Sequence, residues 1–389
     1  MPVTRLRPSG ADPGLRINTY MSYLRMRTRS DRSLVREFQA HEMSRRKLLG
    51  LGVAAAIGLG GCAGARDDEA TGASEDELRS RSAVGVGHDA ASLEKAIDAA
   101  LAETLGLSEI RAGDSVYLKV NTNSGDPAPY STSPALLAHL GGLLRDKGVR
   151  DLRIGDRSFW GDPNTGGNFA RNGIADAARR LGTTAVVFDD DIDWVTLPEA
   201  DMPDWVGAIR IPEMVATATH VINLGNMKTH FITGFTMTLK NMIGVIHAAD
   251  RKRPGNLFRH YAVDDKLGRQ IAQISKAITP TLNIIDGWQA LVTGGPTPRD
   301  RTAGEGGGLA EPKIVIASKD RIAADLTGVG VLRRFCPSSE PITRGRPFAH
   351  PQIAAAIAHG GLGISRREQY ELYGDTVPYL AELRADVLS

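Results

Sequence analysis

The sequence predicts an α/β fold, a mainly parallel sheet flanked by helices, built as one domain or as two closely packed lobes. Three observations carry this. Short apolar strands alternate with segments of helical period from residue 93 to residue 359. Aromatic residues are only 5% of the chain, while Ala, Gly, Val, Leu and Ile dominate, which suits helices packed closely on a sheet. Setting aside residues 1–61 as a targeting region leaves 328 of the 389 residues, enough for one large domain or two lobes.

The elements follow in order. Leu93 to Leu105 has apolar residues at helical spacing. Ser115 to Val120 reads as a strand ending at Asn121. Pro134 to Lys147 reads as a helix, with Pro at its start and Gly148 past its end. Asp151 to Asp156 is a second strand, Gly173 to Leu181 a helix, and Thr184 to Phe188 strand-like. His220 to Leu224 is a short apolar strand that the chain leaves through Gly225-Asn226. Leu267 to Ile278 is helical and Leu282 to Ile285 is a strand closing on Asp286. Lys313 to Ala317 is a strand, and Ile322 to Arg333 and Pro351 to His359 are helices. No short repeat is present, and the Gly-rich stretch 294–308 lacks the order of a phosphate loop.

Residues 44–62 are expected to act as an address. Ser44-Arg45-Arg46-Lys47-Leu48-Leu49 resembles a twin-arginine export signal, and Leu48 to Leu59 is an apolar run too short and too rich in Gly and Ala for a membrane span. Leu59-Gly60-Gly61-Cys62 has the form of a lipoprotein cleavage box. The expected organisation is a removed signal region over 1–61, a flexible tether over 62–83 and an α/β domain over 84–389, with lipid on Cys62. That places the domain in the periplasm or on the outer face of the inner membrane, exported by the twin-arginine machinery. Residues 1–61 hold 11 of the 47 Lys and Arg and 4 of the 45 Asp and Glu, so the remainder has 36 against 41, net −5. The slight basicity belongs to the signal and gives no support to nucleic-acid binding. With Cys62 lipidated, Cys336 stands alone, which excludes an internal disulfide and a thiolate cluster.

Chemistry is expected beyond the carboxyl ends of the strands, where open parallel sheets bind ligands. Lys119 and Asn121, Asp156, Asn223 and Asp286 all fall there; the plain alternative for the Asn and Asp residues is capping of the next turn. The densest segment is Val221 to His247, which packs Lys228-Thr229-His230, Thr233, Thr236, Thr238 and Lys240-Asn241 into an otherwise apolar stretch. Lysines in apolar surroundings need a partner or a lowered pKa, and a bound anion is one such partner. His230 is a candidate acid–base or metal ligand. The alternative is a helix with a solvated Lys/Thr face. The triplet Arg251-Lys252-Arg253 either extends an anion site or is an exposed basic loop, and the Pro254-Gly255-Asn256 turn after it favours the loop. There is no H-x-x-x-H, no dinucleotide fingerprint and no nucleophile elbow.

At this segment the chain resembles a known family. VINLGNMKTHFITGFTMTLKNMIGVI is similar to the signature of domain-of-unknown-function family 362, where a strand leads into Lys-x-His and then Thr-x-x-x-Lys-Asn-x-x-Gly. VYLKVNTNSG, LRIGDRS, IIDGWQALVTGGPTPR and IVIASKDRIAADLTGVGVL match its other landmarks in order, over roughly residues 110–365. Many members carry a ferredoxin-like module with two Cys clusters, which this chain lacks, so no iron–sulfur cluster is expected. The layout is also loosely similar to the amino-terminal part of nickel-dependent lactate racemase. That likeness implies Lys228 or Lys240 as a cofactor attachment point and His230 as a ligand.

The expected function is therefore that of a cell-envelope lipoprotein binding, and acting on, a small anionic ligand or a metal-bearing cofactor whose identity the sequence leaves open. Lys228, His230 and Lys240 are the candidate catalytic residues. Lys119, Asn121, Asp156, Thr229, Asn241 and Asp286 are the candidate ligand-binding residues. A non-catalytic binding lipoprotein and a structural or assembly factor are the alternatives.

Overall fold

A computed structural model describes residues 82–104, 106–159, 161–189, 191–257, 266–298 and 308–389. The export signal, Cys62 and all but the last two residues of the tether lie outside these. The described residues fall within one compact unit.

Twelve strands are seen among the described residues: β1 (Ala83–His88), β2 (Ser115–Lys119), β3 (Asp151–Asp156), β4 (Ala185–Val187), β5 (Trp194–Thr196), β6 (Arg210–Pro212), β7 (His220–His230), β8 (Gly234–Thr236), β9 (Leu282–Leu291), β10 (Leu309–Ala310), β11 (Ile314–Ser318) and β12 (Glu371–Tyr373). The helices are α1 (Leu93–Ala102), α2 (Pro134–Asp146), α3 (Thr165–Arg171), α4 (Ile174–Arg180), α5 (Glu213–Ala216), α6 (Thr238–Asn241), α7 (Ala248–Lys252), α8 (Lys266–Ala277), α9 (Arg321–Phe335), α10 (Pro351–His359) and α11 (Leu380–Val387).

The main sheet runs in the order β12-β1-β11-β9-β7-β2-β3-β4, with β10 hung on β9 and β8 on β7; β5 and β6 form a separate pair. Strands β2, β3, β4, β7 and β9 are mutually parallel, and along the main path only β11 runs against its neighbours. The mainly parallel sheet flanked by helices is thus present. Alternation along each strand feeds two apolar layers. Val116, Leu118, Ile154, Ile222, Leu224 and Ile284 pack under α1 and α2, while Tyr117, Val221, Met227, Ile285 and Ile316 pack under α8, α9 and α10.

Local chemistry sets the helix ends. Ser133 caps α2 by accepting from Ala135 N and Leu136 N, and Gly148 follows it at φ 85°. Asp320 caps α9 by accepting from Ala323 N. Two strands run well past their expected ends. β7 continues through Gly225-Asn226 to His230, and β9 continues through Asp286-Gly287 to Leu291. Both pairs are turn-formers by type, yet here they lie in the ladder, with Asn226 opposite Asp286. Gly225 is needed for another reason: a Cβ there would lie 3.2 Å from the Met237 carbonyl carbon and the Thr238 nitrogen, which cross over it.

Candidate functional site

The parallel strands bring the polar strand ends to one edge of the sheet, where they form a chain of buried hydrogen bonds. Lys119 is fully buried. Its ammonium meets Asp156 Oδ1 at 2.8 Å, Val120 O at 2.5 Å and Asn241 Oδ1 at 3.3 Å, one acceptor for each proton. Burial pulls its pKa down while Asp156 holds it up. Asp156 Oδ2 accepts from Thr122 N at 2.8 Å. The Asn241 amide donates to Asn223 Oδ1 at 2.8 Å and Leu224 O at 3.1 Å, and Asn223 donates on to Thr238 O and Asn283 Oδ1. Gly244 lies directly over the ion pair: a Cβ there would sit 2.2 Å from Asp156 Oδ1 and 2.8 Å from Lys119 Nζ. Thr238 N, Thr238 Oγ1 and Leu239 N all donate to the buried Asp325 of α9, which fixes α6 above this pair. The Thr-x-x-x-Lys-Asn-x-x-Gly signature is therefore, in large part, the means by which α6 and the turn after it close onto β2, β3 and β7.

Asn121 joins this cluster to a second. Its Nδ2 donates to Asn241 Oδ1 at 3.1 Å, and its Oδ1 accepts from Lys228 Nζ at 3.0 Å. Lys228, also fully buried, donates in addition to Tyr130 O at 2.7 Å. Asn226, Lys228 and His230 alternate along β7 and so share one of its faces, with Met227 on the other. Thr236 of β8 pairs directly with Lys228 and shares that face. The ladder irregularity beside this segment falls on β9, where Asp286 to Leu291 spans what Asn226 to Lys228 spans on β7.

This second cluster carries unmet hydrogen-bonding groups. Among the described residues, Asn226 Oδ1 and Thr236 Oγ1 are buried with no partner. His230 accepts from Ile232 N at 3.0 Å, and more weakly from Thr233 N at 3.4 Å, on Nδ1 and stacks on Phe231 at 5.2 Å. With Nδ1 an acceptor, the neutral ring carries its proton on Nε2, a donor that no described residue takes up. Burial holds the His230 pKa well below its usual value, and the ammonium groups of Lys240 and Lys228 lower it further. Lys240 is half-buried and donates to Thr233 Oγ1 at 3.0 Å. Asp286 is buried, takes only the Trp288 N–H at 3.1 Å among the described residues, and is pushed by burial up to about 6.

The candidate residues thus divide. Lys119, Asp156 and Asn241 have their polar atoms committed to one another. Asn121 bridges, and Thr229 Oγ1 is tied to Leu291 O at 3.1 Å. Lys228, His230, Lys240 and Asp286 lie in or beside the second cluster. The buried amide of Asn226 and the hydroxyl of Thr236 join the second cluster and the bare backbone of Gly244 the first, and a period of two carried past Leu224 would have found Asn226. Arg251 corrects an expectation: it is not exposed but buried on α7, donating to Ser158 O at 3.3 Å, because Asp250 pairs with Arg210 and Arg253 and pins the helix down.

Among the described residues no three His, Cys, Asp or Glu converge as a metal site. Lys228 donates to Asn121 and Tyr130 inside the fold, while Lys240, the other expected attachment point, is half-buried and donates to Thr233 Oγ1.

Residues 116–330, more than half of the chain, match the family described as Domain of unknown function (DUF362). A relative is the thylakoid-associated protein sll1697 of Synechocystis sp., 25% identical over 231 residues; the match covers 58% of this chain and 64% of that protein, so the chain spans less than two thirds of the relative's length.

Proposed function

This chain belongs to the DUF362 family, and we propose that it is an envelope lipoprotein binding a small oxyanion, a carboxylate or a phosphate, on the β7–β8 face that bears His230, Lys228 and Thr236. One observation carries the reading. The imidazole of His230 is kept neutral by burial and by two nearby ammonium groups, with its Nε2–H left as a donor. A neutral donor beside positive charge favours an anionic acceptor. The buried Thr236 hydroxyl, without a partner, supplies a second donor on the same face. Lys119 and Asp156 support the site from beneath and do not touch the ligand.

Calorimetric titration with inorganic phosphate, and separately with acetate, tests this. Saturable binding of at least one, weakened about tenfold by His230→Gln without loss of fold, is the expected result. No saturable heat from either anion, or equal affinity in the variant, overturns it.

The address is part of the proposal. Twin-arginine export followed by lipid attachment at Cys62 is supported by the ordered signal in residues 44–62, and the name of the thylakoid-associated relative is in keeping with work at a membrane. Labelling with a radioactive fatty acid that disappears in Cys62→Ala is expected. Label retained in that variant removes the anchor.

A further inference from the structure

We propose that Asp286 holds a proton directed at Asn226 Oδ1, and that this carboxyl, in place of the His230 imidazole, is the proton-carrying group of the site. The proton's position stands on two neighbouring strands alone; its use rests on the anion-binding reading above.

Asn226 is fully buried and its Nδ2 donates to Ser131 O at 2.9 Å. A backbone carbonyl can only accept, so turning the amide over would set two oxygens against each other. That fixes Oδ1 on the side away from Ser131, where it is buried without a donor. Directly across the parallel ladder, on a strand about 4.8 Å away, its register partner is Asp286. Asp286 is buried too, and among the described residues the Trp288 N–H on Oδ1 is its one hydrogen bond. As register partners on adjacent parallel strands, the two side chains leave on the same face, each with an oxygen that lacks a donor among the described residues. One proton on Asp286 Oδ2 supplies the donor that Asn226 Oδ1 lacks, as an O–H···O bond between the two strands.

The charged groups around Asp286 do not supply another solution. On β7, Lys228 is engaged with Asn121 and Tyr130. Ahead of β11, Lys313 lies over the Trp288 ring and pairs with Glu311. The β11 partner of Asp286 is the apolar Val315. Burial accordingly raises the carboxyl to about 6, with the Trp288 N–H pulling the other way. His230 moves in the opposite sense and stays neutral. An anion entering the β7 face adds negative charge near Asp286 and favours its acid form. Below about pH 6 the carboxyl already holds its proton; above it, where the carboxyl is ionised, binding brings a proton from water and forms the O–H bond at Asp286, and release of the anion breaks that bond and returns the proton.

Infrared difference spectroscopy of the full chain without ligand tests the proton. The protonated-carboxyl C=O band present in the wild type and missing from Asp286→Asn is expected to titrate with its midpoint near 6. Asn226→Ala should lower that midpoint by about one pH unit, since the acceptor is lost. No such band, a midpoint in the ordinary aspartate range, or a midpoint indifferent to Asn226→Ala each overturn the proposal. Should Asp286→Asn not fold, isotope-edited aspartate and the Asn226→Ala shift carry the same decision. Phosphate calorimetry in buffers of unlike ionisation heat tests the use. Proton uptake in the wild type that is lost in Asp286→Asn is expected, and uptake unchanged in the variant overturns it. Absence of phosphate and acetate binding would instead sink the anion reading while leaving the infrared result standing.

Discussion

The cluster around Lys119 and the cluster around Lys228 are built from the same residue types, lie on adjacent strands and meet at Asn121, yet their internal accounts differ. Each ammonium proton of Lys119 has its own acceptor, one of them the carboxylate of Asp156. Around Lys228 the described residues leave the surroundings incomplete: a lone amide oxygen, a lone hydroxyl, an imidazole N–H without an acceptor and a carboxyl with one hydrogen bond. Completed polar networks bind elements together, whereas incomplete ones are where a ligand or a proton belongs. A buried lysine by itself does not tell the two apart; the hydrogen-bond count does.

The sharpest way to break this contrast is at Lys119. Lys119→Met leaves Asp156 buried without its partner and is expected to cost about 3–5 kcal/mol in urea unfolding. Replacing Asp156 by Leu in the same chain should restore much of it. If Lys119→Met is as stable as the wild type and instead loses anion affinity, the two clusters have been assigned the wrong way round.

Next comes pH. The folded pKa of Asp286 is raised, so its contribution is fully present below the unfolded value near 3.8 and is lost as pH rises through about 6. Wild type is expected to lose up to about 3 kcal/mol relative to Asp286→Asn between pH 3.5 and pH 8, read from paired denaturation curves. Using the difference between two chains removes the similar rises of Asp320 and Asp325. A gap that does not change with pH would show that the carboxyl titrates normally.

Gly244→Ala should cost about 1–3 kcal/mol, because the new methyl meets the Lys119–Asp156 pair. Equal melting temperatures would mean that the turn after α6 moves aside freely. The smallest stability effect is expected at His230→Gln, within about 0.5 kcal/mol, together with the tenfold loss in anion affinity. A large drop in melting temperature there would move His230 into the structural cluster.

Much of the architecture was legible in the sequence because its strands are short apolar runs bounded by turn residues and its helices carry their own caps, as at Ser133 and Gly148. What was not legible were the extensions of β7 and β9. Gly225-Asn226 and Asp286-Gly287 are turn dipeptides by local preference, and their place in a ladder is decided by the partner strand and by Met237 and Thr238 crossing over Gly225. The site was half legible for the same reason. The signature marked Lys228, His230, Lys240 and Asn241 together, but which of them is satisfied depends on Asn121, Tyr130 and Asp156, distant in sequence. Arg251 looked solvated in its basic triplet, because nothing local announces that Asp250 anchors the helix beneath it.

Strand β1 has a consequence for how the protein is made. It lies inside the sheet between β11 and β12, and its contacts span the domain: Ser318 Oγ donates to Ala83 O across 235 positions, and His88 N to Thr376 Oγ1 across 288. A growing chain that has made β1 must therefore carry it with both edges open until nearly everything else has been synthesised. Folding of that kind is slow and governed by distant closure, and the bare edges invite pairing with other chains. Ribosome stalling or truncation before β11 should leave a species far more prone to aggregate than one stalled after β12, so that completion of synthesis itself serves as the checkpoint for a folded product.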